Sequence, residues 1–138
     1  MDDLKNARSL LASGNYTCVV CKDDCTYTAT ERGVKPLLNW LDAGLNLNGF
    51  SAADRVVGRA TAFLYVLLGV KSVYASVMSH PAAQVLTEHG IDAQANQLVV
   101  GIINRKGTGP CPFEEAVMKI TDPCEALTAI RKKMEQMR

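Results

Sequence analysis

The chain has 138 residues and a formal net charge of +1, with 48% hydrophobic and 21% charged residues. This length and composition predict one globular domain, residues 1–138, with a core of its own. The near-neutral charge gives no electrostatic reason to expect nucleic acid or a membrane as a partner, and no apolar run reaches the roughly 18 residues that span a bilayer.

The N-terminus and the cysteines both indicate a reducing compartment. The start, MDDLKNARSLL, is acidic rather than basic, unlike a secretory signal, so we expect a cytoplasmic protein. Five cysteines are an odd number, and structural disulfides are therefore not expected. The thiols should be core residues, metal ligands or reactive groups.

The first third of the chain predicts a helix, a hairpin and a second helix. Residues 2–12 carry apolar side chains at helical spacing. Residues 16–20 and 26–30 are typical of strands and flank a polar turn, which predicts an antiparallel pair. Residues 34–43 form an apolar stripe after a glycine and predict a short helix.

The middle of the chain, residues 51–69, predicts one buried helix. Ser51 and Asp54 have the spacing of a capping box, and Gly69 is a typical stop. The body of the stretch is apolar on nearly every side, so other elements should enclose it. Its charged residues all fall in the first two predicted turns: Asp54, Arg55 and Arg59.

The remaining stretches predict a parallel strand pair and closing helices. Residues 70–78 and 97–103 are rich in β-branched and apolar residues, with a predicted helix at 80–89 between them. A strand, a helix and a strand with short links form a crossover unit whose strands are parallel. Two helices are predicted at 112–120 and 123–137.

This order predicts an α/β fold, a mixed sheet in three layers with helices on both faces. Ligands on such sheets bind outside the carboxyl ends of parallel strands, at positions occupied here by Ser79, His80, Asn104 and Arg105. The predicted helix start at residues 51–55 is the expected neighbour. Free N–H groups at a helix start favour an anion.

Two runs resemble a known family: GFSAADRVVGRATAFLYVLLGVKSVYASVMSHPAAQVLTEHGI and NRKGTGPCPFEEAV. They are similar to the uncharacterised family called domain of unknown function 1893, whose fold is cytidine-deaminase-like. The resemblance covers most of the chain and implies a three-layer α/β/α deaminase-like fold. It brings no established activity.

The resemblance implies a zinc site at two helix starts, but the zinc motifs are missing. Deaminase zinc chemistry uses H-x-E on the first helix and P-C-x-x-C on the second. The first predicted helix offers Ala52, Ala53 and Asp54, and the second offers residues 79–82, with His80 as the one histidine. A catalytic zinc takes three protein ligands. We therefore expect no catalytic metal and no cofactor.

Cys111 is the sharpest candidate for chemistry. Cys111-Pro112-Phe113-Glu114 has the form of a helix start in which cysteine takes the cap position. A helix N-terminus stabilises a thiolate, so Cys111 is a tentative catalytic or ligand-contacting thiol. The nearby carboxylate of Glu114 opposes that effect, and Glu114 is itself a candidate ligand-binding residue. The alternative is a cysteine that packs at the helix entry.

Two arginines and a basic loop are the candidate anion ligands. Arg55 and Arg59 would lie one turn apart on a helix and could hold phosphate or carboxylate. The alternatives are a solvated face or an internal ion pair. The loop 104–110 is basic and glycine-rich but lacks the order of residues found in a P-loop.

Cys18, Cys21 and Cys25 have the spacing C-x2-C-x3-C, a weak metal signal. Structural zinc takes four ligands, and Cys18 and Cys21 would point to opposite faces of a strand. We thus predict a small-molecule site near Asp54, Ser79 and Cys111 for an anionic or nucleotide-like ligand. The alternative is a non-catalytic binding or interaction module, and a zinc deaminase with unusual ligands is a third possibility. A homo-oligomer stays open.

Overall fold

The computed structural model describes residues 2–31, 33–103, 107, 109 and 111–137. The described chain has six helices and five strands. Their bounds are α1 Asp3–Ser13, β1 Cys18–Lys22, β2 Cys25–Ala29, α2 Lys35–Asp42, β3 Ser51–Val57, α3 Arg59–Leu68, β4 Ser72–Ser79, α4 His80–Glu88, β5 Asp92–Val99, α5 Pro112–Val117 and α6 Pro123–Gln136.

The strands form one mixed sheet in the order β2-β1-β3-β4-β5. The hairpin β1–β2 is antiparallel, as predicted, and β1 also pairs antiparallel with β3. Strands β3, β4 and β5 are mutually parallel. Helices α3 and α4 are the crossovers between them, so both helices begin at the carboxyl edge of this parallel sheet.

The prediction of a single helix over residues 51–69 is wrong in its first half. Ser51–Val57 is the central strand β3, and helix α3 begins only at Arg59, after Gly58 in an extended conformation. Ser51 therefore caps nothing, and its hydroxyl accepts a hydrogen bond from Ser72 on β4. Strand neighbours on both sides outweigh the local helix preference of this alanine-rich segment. The stop at Gly69 is confirmed by its left-handed φ of 87°.

The last predicted strand is displaced. We expected it at residues 97–103, but β5 runs from Asp92 to Val99. The apolar run that suggested a buried strand is in fact exposed, with Val100 at 88% and Ile103 at 65%. Polar side chains are tolerated in β5 because it lies at the sheet edge. Helix α5 is also shorter than predicted and ends at Val117.

The predicted three layers are confirmed. Helix α1 packs on one face through Ala7 and Leu11, against residues of β1 and β3 that include Val19. Helices α2 to α6 contribute to the larger core on the other face, where α3 is almost fully buried. Among the described residues, no helix has both the length and the apolar character needed to cross a membrane.

Candidate functional site

A cleft opens at the carboxyl edge of the parallel strands, where the sequence predicted a site. It has a volume of about 420 Å³ and lies between the starts of α3 and α4, the end of β5 and helix α5. Apolar and polar side chains share its wall. The lining residues are Arg59, Pro81, Gln84, Val100, Gly101, Ile102, Glu114 and Met118.

Glu114 closes the N-terminus of α3 from outside the helix. Its carboxylate accepts the backbone N–H groups of Arg59 at 2.6 Å and Ala60 at 2.8 Å. Gly58 stands at the N-cap position of α3 and makes no side-chain capping hydrogen bond. The Glu114 carboxylate therefore takes the role of the N-cap, although it comes from another helix. A Cβ at Gly58 would lie 2.5–2.7 Å from the Glu114 carboxyl atoms, so the contact requires glycine there.

The Arg59 side chain links the start of α3 to the C-terminal end of α5. Its Nε donates to the carbonyl of Val117 at 3.1 Å, and its Nη2 donates to the carbonyl of Ile120. The guanidinium also lies 5.1 Å from the centre of the Phe63 ring. Together with Glu114, these bonds clamp α5 to the first turn of α3. The positive charge of Arg59 still borders the cleft.

Arg55 is remote from this site. It lies on β3 and points to the α1 side, where it donates to the carbonyls of Tyr16 at 2.8 Å, Leu11 at 3.1 Å and Gly14 at 3.4 Å. It therefore closes the C-terminal end of α1. The predicted pairing of Arg55 with Arg59 on one helix face is wrong, because Arg55 belongs to strand β3 and Arg59 is the first residue of helix α3.

Asp54 is buried inside the large core rather than at a helix start. Its Oδ2 accepts the Tyr65 hydroxyl at 2.7 Å, and its Oδ1 accepts the N–H of Arg55 at 2.8 Å. Cys18 Sγ lies 2.9 Å from the Tyr65 oxygen. Since tyrosine has one proton and gives it to Asp54, the Cys18 thiol donates to Tyr65. The capping-box role predicted for Asp54 is wrong.

Burial dominates the electrostatics of this triad. It raises the pKa of Asp54 to about 6, although the hydrogen bond from Tyr65 acts in the opposite direction. Burial, helped by the Asp54 charge, raises the pKa of Cys18 and of Tyr65 well above their ordinary values. Cys18 is therefore a protonated core thiol. From the sequence, Cys18 was considered only as a weak metal-ligand candidate, and Tyr65 was assigned no role.

Ser79 and His80 lie at the start of α4, as expected. The buried Ser79 hydroxyl accepts the N–H of Ala82 at 3.1 Å and caps the helix. The predicted helix start is thus confirmed, while Ser79 is committed to capping. His80 is exposed beside Pro81, which lines the cleft.

Cys111 occupies the cap position of α5, as predicted. It is half-buried, and its N–H donates to the carbonyl of Ile102, a cleft residue, at 2.9 Å. Its side chain makes no capping hydrogen bond to the described residues. The predicted anion ligands Asn104 and Arg105 lie outside the described residues.

The structure does not support a metal site formed by Cys18, Cys21 and Cys25. Cys18 belongs to the core on one face of the sheet and Cys21 to the core on the other, while Cys25 is exposed on β2. Within residues 2–31, 33–103 and 111–137, no three metal-binding side chains converge on a common point. The zinc set implied by the deaminase resemblance does not fit either. The start of α3 carries Arg59, Ala60 and Thr61, and that of α4 carries one histidine.

The family can be assigned from the sequence as a whole. The model of the TM1506 family, described as a domain of unknown function (DUF1893), matches residues 6–134. This chain belongs to that family. A crystal structure of a DUF1893 family protein from Thermotoga maritima is similar in fold, with a TM-score of 0.85 and 23% identity over 97% of this chain and 89% of that one. No curated protein sequence matches the chain.

Two deaminases are more weakly similar to this DUF1893 chain. The dCMP deaminase of cyanophage S-TIM5 has a TM-score of 0.44 and 14% identity, over 67% of this chain and 93% of the deaminase. A diaminohydroxyphosphoribosylaminopyrimidine deaminase/reductase from Thermotoga maritima has a TM-score of 0.44 and 18% identity, over 95% of this chain and 41% of that protein. Neither similarity assigns an activity to this chain.

The structure also brings in residues that sequence reasoning missed. Gln84 and Met118 line the cleft, and neither belongs to a recognisable motif. Gln84 stands three residues after Pro81 on α4, so helical periodicity from the predicted helix start was the one available signal. Met118 follows a helix end that was predicted too late in the chain.

Proposed function

We propose that this protein binds a small molecule in the cleft between the starts of α3 and α4, without a catalytic zinc. The observation that carries the proposal is the position and make-up of the cleft. It lies at the carboxyl ends of β4 and β5, where α/β sheets bind ligands. A mainly apolar wall with a few convergent polar groups is typical of small-molecule sites.

The charges along the cleft favour a nucleotide-like ligand held by its neutral part and one anionic group. Glu114 already fills the N–H groups of α3, so a ligand anion is excluded from that position. Arg59 supplies positive charge at the cleft wall. The Gln84 amide, which is exposed and bonded to Glu88, can exchange that partner for a polar edge of the ligand.

Cys111 is the proposed reactive group of this site. Its backbone N–H is bonded to the carbonyl of Ile102 on the cleft wall, and its side chain is half-buried, which supports a position next to a bound ligand. A covalent role would use the thiolate as nucleophile. A role as a hydrogen-bonding contact requires no chemistry at all.

A second candidate is a non-catalytic binding or interaction module on the same scaffold. The observation that favours it is the use of charged groups inside the fold. Arg55, Arg59, Asp54 and Glu114 all bind backbone or side-chain partners of the same chain. Charged groups engaged in this way hold elements together and leave few polar groups for a reaction.

The experiment is a protein-observed NMR titration with cytidine, CMP and inorganic phosphate. We expect cytidine or CMP to perturb the amides of Gln84, Gly101 and Met118, and phosphate alone to do so weakly. Gln84→Ala should weaken the response, because it removes the cleft amide and keeps a good helix former. Gln94→Ala is the matched control, since Gln94 is an exposed glutamine that does not line this cleft.

The outcomes separate the two candidates. Perturbation confined to the cleft, weakened by Gln84→Ala and unchanged by Gln94→Ala, supports a small-molecule site. If none of the three probes perturbs the cleft amides, the small-molecule proposal fails and the interaction module is favoured. Turnover of a bound probe, followed by mass spectrometry and abolished by Cys111→Ser, distinguishes an enzyme from a binding protein.

A further inference from the structure

A second groove opens on the face of the sheet that carries α1. It has a volume of about 570 Å³ and lies between α1 and the strands β4 and β5. Helix α1 packs its buried side chains on β1 and β3, while beside it Tyr74 of β4 is half-buried and Gln94 of β5 is exposed. Since α3 and α4 pack on the other face, the sheet separates this groove from the cleft described above.

Arg8 lies on the wall of the groove with its side chain packed against an aromatic ring. Its guanidinium carbon lies over the Tyr74 ring, 4.1 Å from the centre, and the ring itself packs against the core cluster under α1. A guanidinium packed in this way loses little further freedom when its N–H groups bind a carboxylate or a phosphate. In the described part of the chain, no oxygen accepts a hydrogen bond from the Arg8 guanidinium.

Lys5 adds a second positive charge to the same wall. It precedes Arg8 by three residues, so the two side chains lie on one face of α1. Lys5 is exposed. Within residues 2–31, 33–103 and 111–137, the ion pairs involve Lys35, Lys71 and Arg131 instead. The groove therefore has two cations that no carboxylate of this part of the chain neutralises.

Both charges stand at the unfavourable end of their helix. Lys5 and Arg8 are the basic residues of α1 and fall in its first two turns, whereas its last turn has no basic residue. The N-terminal end of a helix has a positive partial charge that disfavours cations. Asp2, the acidic residue of the groove, is already engaged as the helix cap and accepts the N–H of Lys5 at 3.2 Å. An anion bound between the two cations removes this unfavourable arrangement.

We propose that this groove binds a small molecule through a phosphate monoester that contacts both Lys5 and Arg8. Such a group has a charge of about −1.5 to −2 at neutral pH and several acceptor oxygens, so it matches two cations better than a carboxylate does. The half-buried side chains of Leu4 and Tyr74 provide apolar surface for the rest of the ligand. The volume of the groove lies in the range of small-molecule sites.

The test is a protein-observed NMR titration of the full chain with inorganic phosphate, acetate, phenyl phosphate and a phosphoserine peptide at equal ionic strength. Phosphate should shift the amides of Lys5, Arg8 and Tyr74 to saturation, and acetate should bind more weakly because it has a single charge. Phenyl phosphate should bind most tightly, since its ring gains apolar contacts. Cytidine, which has no phosphate, should leave the groove amides unchanged and shift only cleft amides such as Gln84 and Gly101, so the two sites are tested separately.

Two variants that remove one charge each locate the binding site. Arg8→Gln and Lys5→Gln keep good helix formers at exposed positions. Each should weaken phosphate binding roughly tenfold, through the loss of one hydrogen bond from a charged donor. Lys132→Gln is the matched control, because it removes the same charge from an exposed position of α6, which packs on the other face of the sheet. It should leave the dissociation constant unchanged.

Phosphate binding that survives both Arg8→Gln and Lys5→Gln overturns the proposal. An equal loss in Lys132→Gln also overturns it, because the response would then depend on net charge alone. The same holds if phosphate does not shift the groove amides, or if acetate binds as tightly as phosphate. A phosphoserine peptide that binds more tightly than phenyl phosphate would assign the groove to a protein partner instead. Circular dichroism checks the fold of each variant, and Lys5→Gln alone decides the outcome if Arg8→Gln is unfolded.

Discussion

The hydroxyl of Tyr65 on α3 donates to the carboxylate of Asp54 on the central strand at 2.7 Å, inside the core. Tyr65 is fully buried, and Asp54 is 8% exposed. The Cys18 thiol, on the neighbouring strand, completes a chain of hydrogen bonds that ends on the carboxylate. Three elements, β1, β3 and α3, are thus joined by polar contacts where the surroundings are apolar.

This contact predicts a distinctive dependence of stability on pH. The pKa of Asp54 rises from its ordinary 3.8 to about 6 on folding, mainly through burial. A folded pKa above the unfolded one means that the group stabilises the fold below about pH 4 and that this contribution is lost as pH rises through about 6. The gap corresponds to roughly 3 kcal/mol at neutral pH.

Asp54→Asn tests that dependence, because the amide cannot ionise. Urea unfolding at about pH 4 and about pH 7 should show the wild-type chain losing roughly 2.4 kcal/mol more than the variant between the two, because the unfolded carboxyl is already partly ionised at pH 4. The asparagine side chain also loses one hydrogen bond, and this lowers the free energy of unfolding at both pH values. The readout is therefore the change in the free energy of unfolding between the two pH values. Asp24→Asn, at an exposed turn position, should keep the wild-type dependence. Parallel curves for the wild type and Asp54→Asn would contradict the raised pKa.

Tyr65→Phe should destabilise the fold more at neutral than at acid pH. The variant removes a hydrogen bond to a charged acceptor, a loss of roughly 1.5–3 kcal/mol when the carboxylate is ionised. Once Asp54 is protonated, the lost bond is a weaker neutral one. Tyr74→Phe is the control, because that half-buried ring keeps its contact with Arg8, 4.1 Å from the ring centre. Equal losses at both pH values would show that Asp54 does not change its protonation state between them, which contradicts the raised pKa.

The sequence predicted most elements but misassigned the central one. Local preference was misleading at Ser51–Val57, where two alanines and a Ser-x-x-Asp spacing are typical of a helix start. The segment is a strand because β1 and β4 supply hydrogen-bond partners on both sides. These partner residues lie 21 or more positions away in the sequence, so no local pattern can predict the pairing. The helix α4 and its serine cap were predictable because their signals are local.

The location of the cleft was predictable, and the hydrogen bonds around it were not. Carboxyl ends of parallel strands and the helix starts beside them identified Arg59, Ser79 and Glu114 as candidates. The contact of Arg59 with Glu114 joins residues 55 positions apart, so neither spacing nor periodicity could predict it. That contact changes the chemistry, because the helix start predicted to hold an anion already holds one from its own chain.

Gly58→Ala should weaken the fold through Glu114 rather than through the backbone. The φ of Gly58 is −99°, which alanine adopts without strain, but the new Cβ would lie 2.5 Å from Glu114 Oε1. The carboxylate must then leave the start of α3, and loss of a cap lowers the free energy of unfolding by about 1 kcal/mol.

A double-mutant cycle identifies the cause of that loss. Glu114→Ala removes the cap directly, and Gly58→Ala should add little in that background, a coupling of about 1 kcal/mol by urea unfolding. Gly101→Ala is the control, since its Cβ would meet no atom within 4 Å, and it should change stability by less than about 0.5 kcal/mol. Fully additive losses would mean that the clash with Glu114 is not what destabilises Gly58→Ala.

Cys111 should be alkylated faster than the two exposed cysteines, Cys25 and Cys124, although it is half-buried. This expectation follows from the proposed role of Cys111 as the reactive thiol of the cleft, at the start of α5 and with its backbone bonded to Ile102 on the cleft wall. The rates are measured at neutral pH by iodoacetamide labelling and mass spectrometry of each peptide. Saturating CMP should slow the labelling of Cys111 and leave that of Cys124 unchanged. A Cys111 rate no higher than that of Cys124 would leave it as a packing residue.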